Sequence, residues 1–197
     1  MSANPKHFLT AAEYLAFERN SKERHEYYDG EIFAMSGASR RHNLVTVNIT
    51  GELRQQLKGR PCETYSADMR VFVPATGLYT YPDVVVVCGE PQFQDGEFDT
   101  LLNPTVIIET LSPSTELYDR GRKFADYRSI ASLQHYVLAA QDAYLVDYYT
   151  KDTDGRWFLR DARDLAHDTV ELTAIGCRLA MSEIYDRVVL PSSSFSV

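Results

Sequence analysis

Residues 81–88 read Tyr81-Pro82-Asp83-Val84-Val85-Val86-Val87-Cys88, and residues 104–111 read Pro104-Thr105-Val106-Ile107-Ile108-Glu109-Thr110-Leu111. Val84 to Val87 and Val106 to Ile108 are apolar without alternation, the pattern of strands covered on both faces at the centre of a sheet. Each run is bordered by one carboxylate: Asp83 opens the first and Glu109 closes the second. If the two strands are antiparallel neighbours, those carboxylates meet at one end of the sheet.

Before this pair, Ser39 to about Lys58 carries Leu44, Val45, Val47, Ile49, Leu53 and Leu57 at mainly three- and four-residue steps, with Gly59 as a stop signal, and predicts a long amphipathic helix. Earlier still, Thr10 and Glu13 form a capping box for a short helix reaching about Ser21, and Asp29-Gly30 supplies the turn of a β-hairpin. Three β-rich runs are expected at Cys62 to Val73, Tyr81 to Cys88 and Pro104 to Leu111. A helix over about Glu116 to Ile130 follows, then strands at Leu133 to Leu138 and Ala143 to Thr150, and a second hairpin turn at Asp154-Gly155 before Trp157-Phe158-Leu159. The order predicts an α/β or α+β fold with a central mixed sheet flanked by helices. One domain over residues 1–197 is expected, with a core at about 10–150, a β-rich extension at about 151–190 and a frayed Ser192-Ser193-Ser194 tail.

With 44% hydrophobic and 24% charged residues the chain has the composition of an ordinary globular protein. There is no apolar run long enough to span a bilayer, and Met1-Ser2-Ala3-Asn4-Pro5-Lys6 lacks a signal-peptide layout, so the expectation is a cytoplasmic protein without a membrane partner. Cys62, Cys88 and Cys177 are odd in number and form no Cys-x-x-Cys, which favours buried free thiols. The net charge of −8 has the wrong sign for gripping nucleic acid over the whole surface. A nucleic-acid reading therefore needs local basic clusters, for which Arg40-Arg41 with Arg54, Lys58 and Arg60, and Arg120, Arg122, Lys123 and Arg128, are candidates; solvated helix faces are the alternative. No dinucleotide fingerprint, phosphate loop or His-Glu-x-x-His occurs, and His7, His25, His42, His135 and His167 lack ligand spacing.

Asp83 and Glu109 remain. Carboxylates bordering apolar strands are costly to desolvate unless paired or metal-bound, and Mg²⁺ suits one or two carboxylates with waters and substrate oxygens. Two strand-end carboxylates facing water are the alternative. Asp119, Lys123 and Tyr127 follow at four-residue steps and share one helix face near Glu109. Lys123 could orient a metal-bound water or neutralise charge on phosphorus; an exposed Asp119–Lys123 ion pair is the bland reading.

Tyr81-Pro82-Asp83, Glu109-Thr110-Leu111-Ser112-Pro113-Ser114-Thr115, then Asp119, Lys123 and Tyr127 resemble a bacterial family of restriction-endonuclease-like proteins within the PD-(D/E)xK nuclease superfamily. The resemblance spans about Thr10 to Tyr149. It implies a restriction-endonuclease-like core in which Asp83 and Glu109 ligate Mg²⁺, with Mn²⁺ as a substitute, and the Thr110 carbonyl adds an oxygen. Arg24-His25-Glu26 also matches, offering Glu26 as a further carboxylate, with an exposed strand residue as the alternative, and His42 matches without an assignable role. The superfamily pattern places a lysine two residues after the acidic one, where this chain has Leu111; by resemblance Lys123 on the following helix replaces it. The implied activity is a metal-dependent endonuclease hydrolysing DNA phosphodiesters. A catalytically silent nucleic-acid or protein-binding module with the same fold, and a hydrolase of smaller phosphoesters, are the alternatives. Exposed hairpins and 13 tyrosines suit a homodimer.

Overall fold

The computed structural model describes residues 8–35 and 37–190, so His7, the Met1 to Lys6 start and the Ser192-Ser193-Ser194 tail lie outside it. Helix α1 (Ala11–Asn20) starts on the expected box: Thr10 Oγ1 accepts from Glu13 N at 3.2 Å, and the Glu13 carboxylate accepts from Thr10 N at 2.8 Å. Strands β1 (His25–Tyr28) and β2 (Glu31–Ala34) pair through a turn in which Asp29 and Gly30 have φ of 48° and 84°, the left-handed pair a two-residue hairpin needs. Helix α2 (Arg40–Gln56) is capped by the Ser39 hydroxyl, which accepts from His42 N.

Next come β3 (Cys62–Ser66), β4 (Arg70–Val73), β5 (Leu78–Thr80), β6 (Val84–Cys88), β7 (Thr100–Leu101) and β8 (Val106–Leu111). The helical segment after β8 is α3 (Glu116–Tyr118), a π-turn (Asp119–Lys123) and α4 (Phe124–Tyr127). Strands β9 (His135–Ala140), β10 (Val146–Lys151), β11 (Trp157–Ala162), β12 (Thr169–Leu172) and β13 (Cys177–Ala180) precede α5 (Met181–Ile184).

A six-stranded sheet has the order β11-β10-β9-β8-β6-β3, mixed because β8 and β9 run parallel while its other pairs are antiparallel. Its two central apolar strands, β6 and β8, are buried on both faces as their sequences require. On one face Val84, Val86 and Ile108 pack with Val45, Ile49 and Leu53 of α2 and with Val170 and Leu179 of the β12–β13 hairpin. On the other, Val85, Val87 and Ile107 pack with Val71, Val73 and Tyr127. A parallel neighbour can be reached only by a crossover, and the segment from α3 to α4 is that crossover. It is thereby laid over the second face, just beyond the end of β8.

Three expectations need correction. The Cys62 to Val73 run is not one strand: the chain turns at Ala67 to Met69, and β3 and β4 join different sheets. The second sheet, ordered β2-β1-β5-β4-β7, was not expected, because β5 lies ahead of the expected Tyr81 to Cys88 run, which is strand only from Val84, and β7 is only two residues long. Cys62 and Cys88 are not free thiols: they stand opposite each other on β3 and β6 with Cα atoms 4.0 Å apart and are disulfide-bonded, whereas Cys177 is free and buried. Spacing in sequence carries no register, which is what makes such a pair possible. Among the described residues no helix is long and apolar enough to cross a membrane.

Candidate active site

The pairing of β6 with β8 sets Val84 opposite Ile108 and Val85 opposite Ile107, so Asp83 and Glu109 fall at the same end of adjacent antiparallel strands. Both line a cleft of about 810 Å³, together with Glu26, Thr110, Asp119 and Lys123. Asp83 Oδ2 accepts the Thr110 backbone N–H at 2.7 Å, which fastens its carboxylate across the two strand ends. His42, in the first turn of α2, places Nε2 3.3 Å from the same oxygen.

Behind Asp83, the Lys123 ammonium gathers three carboxylates: Nζ lies 2.9 Å from Glu26 Oε1, 3.1 Å from Glu109 Oε1 and 3.4 Å from Asp119 Oδ1. Tyr127 donates its hydroxyl to Glu109 Oε1 at 2.9 Å, and Thr80 donates to Glu26 Oε1 at 2.5 Å. The π-turn is what lets one helical face serve this purpose. In a regular α-helix each four-residue step overshoots a full turn by about 40°; the wider i→i+5 turn over Asp119–Lys123 takes up part of that drift and keeps Asp119, Lys123 and Tyr127 turned toward Glu109.

Glu109 and Lys123 are 4% and 6% exposed, so this is no surface ion pair. Burial pushes the Glu109 carboxyl up to about 8; Lys123 pulls against that rise, while Asp119, Asp83 and Glu26 add to it. Burial disfavours charge on Lys123 too, but Glu109, Glu26 and Asp119 outweigh it and hold the ammonium charged. The cleft floor thus has four carboxylates near a single ammonium. Among the described residues no three His, Cys, Asp or Glu side chains make a ready-made metal cage. Mg²⁺ does not require one: it keeps several waters and takes one or two carboxylates. Oxygen donors, excess buried negative charge and the absence of a thiol fit a hard divalent cation held by Asp83 and Glu109, with Thr110 beside them.

The profile of the Uma2 family, described as "Putative restriction endonuclease", matches residues 11–182. The chain belongs to the Uma2 family. It is 38% identical to an uncharacterized Synechocystis protein, slr1290, over 177 residues covering 90% of this chain and 91% of that one. A second uncharacterized Synechocystis protein, sll1609, is 40% identical over 153 residues, covering 78% and 86% of the two chains. A crystal structure of a putative nuclease belonging to DUF820 from Anabaena variabilis superposes with a TM-score of 0.76 at 15% identity, covering 92% of this chain and 99% of that one. The Uma2 chain therefore has the restriction-endonuclease-like α+β fold that its motifs imply.

The five residues expected to ligate metal or to act in catalysis, Asp83, Glu109, Lys123, Glu26 and Thr110, come together in this one cleft. Glu26 is not an exposed strand residue, and the Asp119–Lys123 pair is not a solvated one. Thr80 had no signal in the sequence, and that of Tyr127 was incomplete. Thr80 is an ordinary strand threonine in sequence, and Tyr127, though on the right helix face, could not be tied to Glu109 before the crossover was placed. Of the histidines, His135 is a core residue: Nε2 accepts from Ala174 N, Nδ1 lies 3.2 Å from Thr150 Oγ1, and burial lowers it to about 4. The expected basic clusters are engaged within the chain only in part: Arg120 is bound to Glu116 and Asp147, Arg122 to Asp126, and Arg60 to the Ile175 carbonyl.

Proposed function

We propose that this chain is a divalent-metal-dependent nuclease that hydrolyses DNA phosphodiester bonds as a single domain. The observation that carries this reading is the position of the Lys123 ammonium. The superfamily's strand lysine is replaced by Leu111, yet Nζ arrives 3.1 Å from Glu109 from a separate helix. That supports an active site over a silent module, because a fold kept only for binding has no need of a buried cation at this point.

Asp83 and Glu109 would hold Mg²⁺, or Mn²⁺ in its place, between the ends of β6 and β8. When bound, the ion supplies positive charge against the scissile phosphate and acidifies a water. Lys123 neutralises charge developing on the phosphoryl oxygens and orients the attacking water. Glu26 and Asp119 keep the ammonium charged and in place. Tyr127 Oη–H, donated to Glu109 Oε1, fixes which carboxylate oxygen remains for other work.

The test is calorimetric titration with Mn²⁺ alongside cleavage of a DNA panel. Asp83→Ala and Glu109→Ala are expected to lose the binding heat and to reduce cleavage by about 10²-fold or more, with unchanged circular dichroism. Equal Mn²⁺ affinity in wild type and Asp83→Ala would end the proposal.

A further inference from the structure

We infer that the cleft receives an unpaired nucleotide, its base packed against Phe33 and Tyr118 while its phosphate faces the carboxylate end. This rests on the nuclease reading and narrows its substrate from DNA in general to strands that are single, frayed or locally opened. Three observations on different features carry it.

The first is depth. Glu109, Asp119 and Lys123 are all at least nine-tenths buried, at the floor of a cleft of about 810 Å³. That is the size of a small-molecule site, and a nucleotide fits where a duplex does not. A phosphate inside a regular duplex would be held at the rim.

The second is charge. A duplex-binding site neutralises several phosphates with Lys and Arg. Of the two such residues lining this cleft, Lys123 is enclosed by three carboxylates, and Arg122 is paired with Asp126 at 3.1 Å. Little is left to grip a double backbone.

The third is the lining. Phe33 stands opposite Glu26 in the β1–β2 register, so the two side chains share a face of the hairpin. The Phe33 ring, 49% exposed, is therefore set beside a carboxylate that holds Lys123. From the other side, the Tyr118 ring lies 5.6 Å from Lys123 Nζ and is 36% exposed. On the same hairpin face, Tyr28 is stacked under the Arg122 guanidinium at 4.4 Å. Solvent-exposed rings on both sides of a phosphate-handling centre are the arrangement that stacks unpaired bases irrespective of sequence.

The experiment is fluorescence anisotropy of the full chain in Ca²⁺, with gels confirming intact probe, using labelled oligo-dT, oligo-U and a DNA duplex of equal length. Oligo-dT is expected to bind at least about tenfold more tightly than the duplex, and Phe33→Ala and Tyr118→Ala each to weaken it about tenfold without changing the duplex. Tyr118→Phe, which keeps the ring, should bind as wild type. Oligo-U matching oligo-dT makes the ligand an unpaired nucleotide of either sugar, and weaker oligo-U binding restricts it to DNA. A duplex bound as tightly as oligo-dT, or alanine variants that lose nothing or lose both probes equally, overturns the inference. If no probe binds while Mn²⁺ still binds through Asp83, the inference falls and the metal centre stands; loss of Asp83-dependent Mn²⁺ heat strikes the nuclease reading itself.

Discussion

Two ionic clusters, each built around one buried cation, flank the second sheet, and they differ in a way that separates scaffold from site. In one, Arg70, 2% exposed, donates to Thr100 Oγ1 and Tyr81 Oη, each at 2.9 Å, and lies 2.9 Å from Asp99; Tyr81 in turn donates to Glu18. Arg19 adds a second guanidinium to Asp99 and Asp95. Burial would raise Asp99, but Arg19 and Arg70 outweigh it and hold its carboxyl well below the usual range. In the other, Lys123 faces three carboxylates, and Glu109 is pushed the opposite way, to about 8. In the first cluster two guanidiniums serve Asp99, whereas in the second one ammonium serves three carboxylates. Only the second turns its charged groups into the cleft, and a shortfall of cation at a cleft floor is the condition a divalent ion relieves.

Removing the central cation from each cluster should break the comparison most visibly. Arg70→Met takes the donor away from Tyr81 Oη and Thr100 Oγ1 and leaves Asp99 to Arg19 alone, and chemical denaturation is expected to show a loss of about 1–3 kcal/mol that barely changes between pH 5 and 8. Lys123→Met strands Glu26, Glu109 and Asp119, but burial already raises the Glu109 and Asp119 carboxyls, which can take up protons. Its metal-free penalty should be comparable at pH 8 and much smaller at pH 5. Equal penalties at both pH values for Lys123→Met would place the two clusters in one class.

A smaller effect comes from titrating the wild type. The folded-state value of Glu109, about 8, lies above its unfolded value of 4.5, so folding takes up a proton. Its contribution to stability is fully present below pH 4.5 and is lost as pH rises through 8. Metal-free protein is expected to lose a few degrees of melting temperature over that window, Glu109→Gln to lose less, and millimolar Mg²⁺ to restore the alkaline end. Asp99 has the reverse sign: its contribution is present above 3.8 and lost only as the solution becomes strongly acidic. A melting temperature that rises from pH 4.5 to 8 without metal would contradict the assignment of excess negative charge to Glu109.

How much of this could be read from residues alone follows the same division. Val84 to Val87 and Val106 to Ile108 announced central strands because burial on both faces leaves no alternation, and Asp83 and Glu109 at their borders therefore marked the site end. Local chemistry was equally legible at Thr10–Glu13, Asp29-Gly30 and Ser39. What escaped depends on long-range pairing: the division of residues 62–73 and 78–88 between two sheets, the Cys62–Cys88 bridge, and the whole Arg70 cluster, whose partners come from α1, β7 and the residue after β5. Lys123 lies between these cases. Its helix face was readable, but its distance from Glu109 was set by the parallel β8–β9 pair, and strand direction leaves no mark on composition.

His42 sharpens the comparison at its finest grain, because it meets Asp83 from α2 and not from the crossover that carries Lys123. Its Nε2 is 3.3 Å from Asp83 Oδ2, its Nδ1 is buried with no hydrogen-bond partner, and Thr110 N holds the same carboxylate oxygen. A carboxylate fixed by two neighbours on one oxygen presents the other in a constant direction, as groups behind metal ligands do elsewhere. His42 is then a positioning residue, and its loss should act on binding of the ion and leave the buried Lys123 cluster intact. His42→Ala is expected to weaken Mn²⁺ binding about tenfold by calorimetry, equivalent to about 1.4 kcal/mol, with little change in melting temperature. His42→Gln, whose amide nitrogen can reach the Nε2 position, should recover most of that affinity. A drop in melting temperature with unaltered Mn²⁺ affinity would instead make His42 part of the α2 scaffold, on the Arg70 side of the comparison.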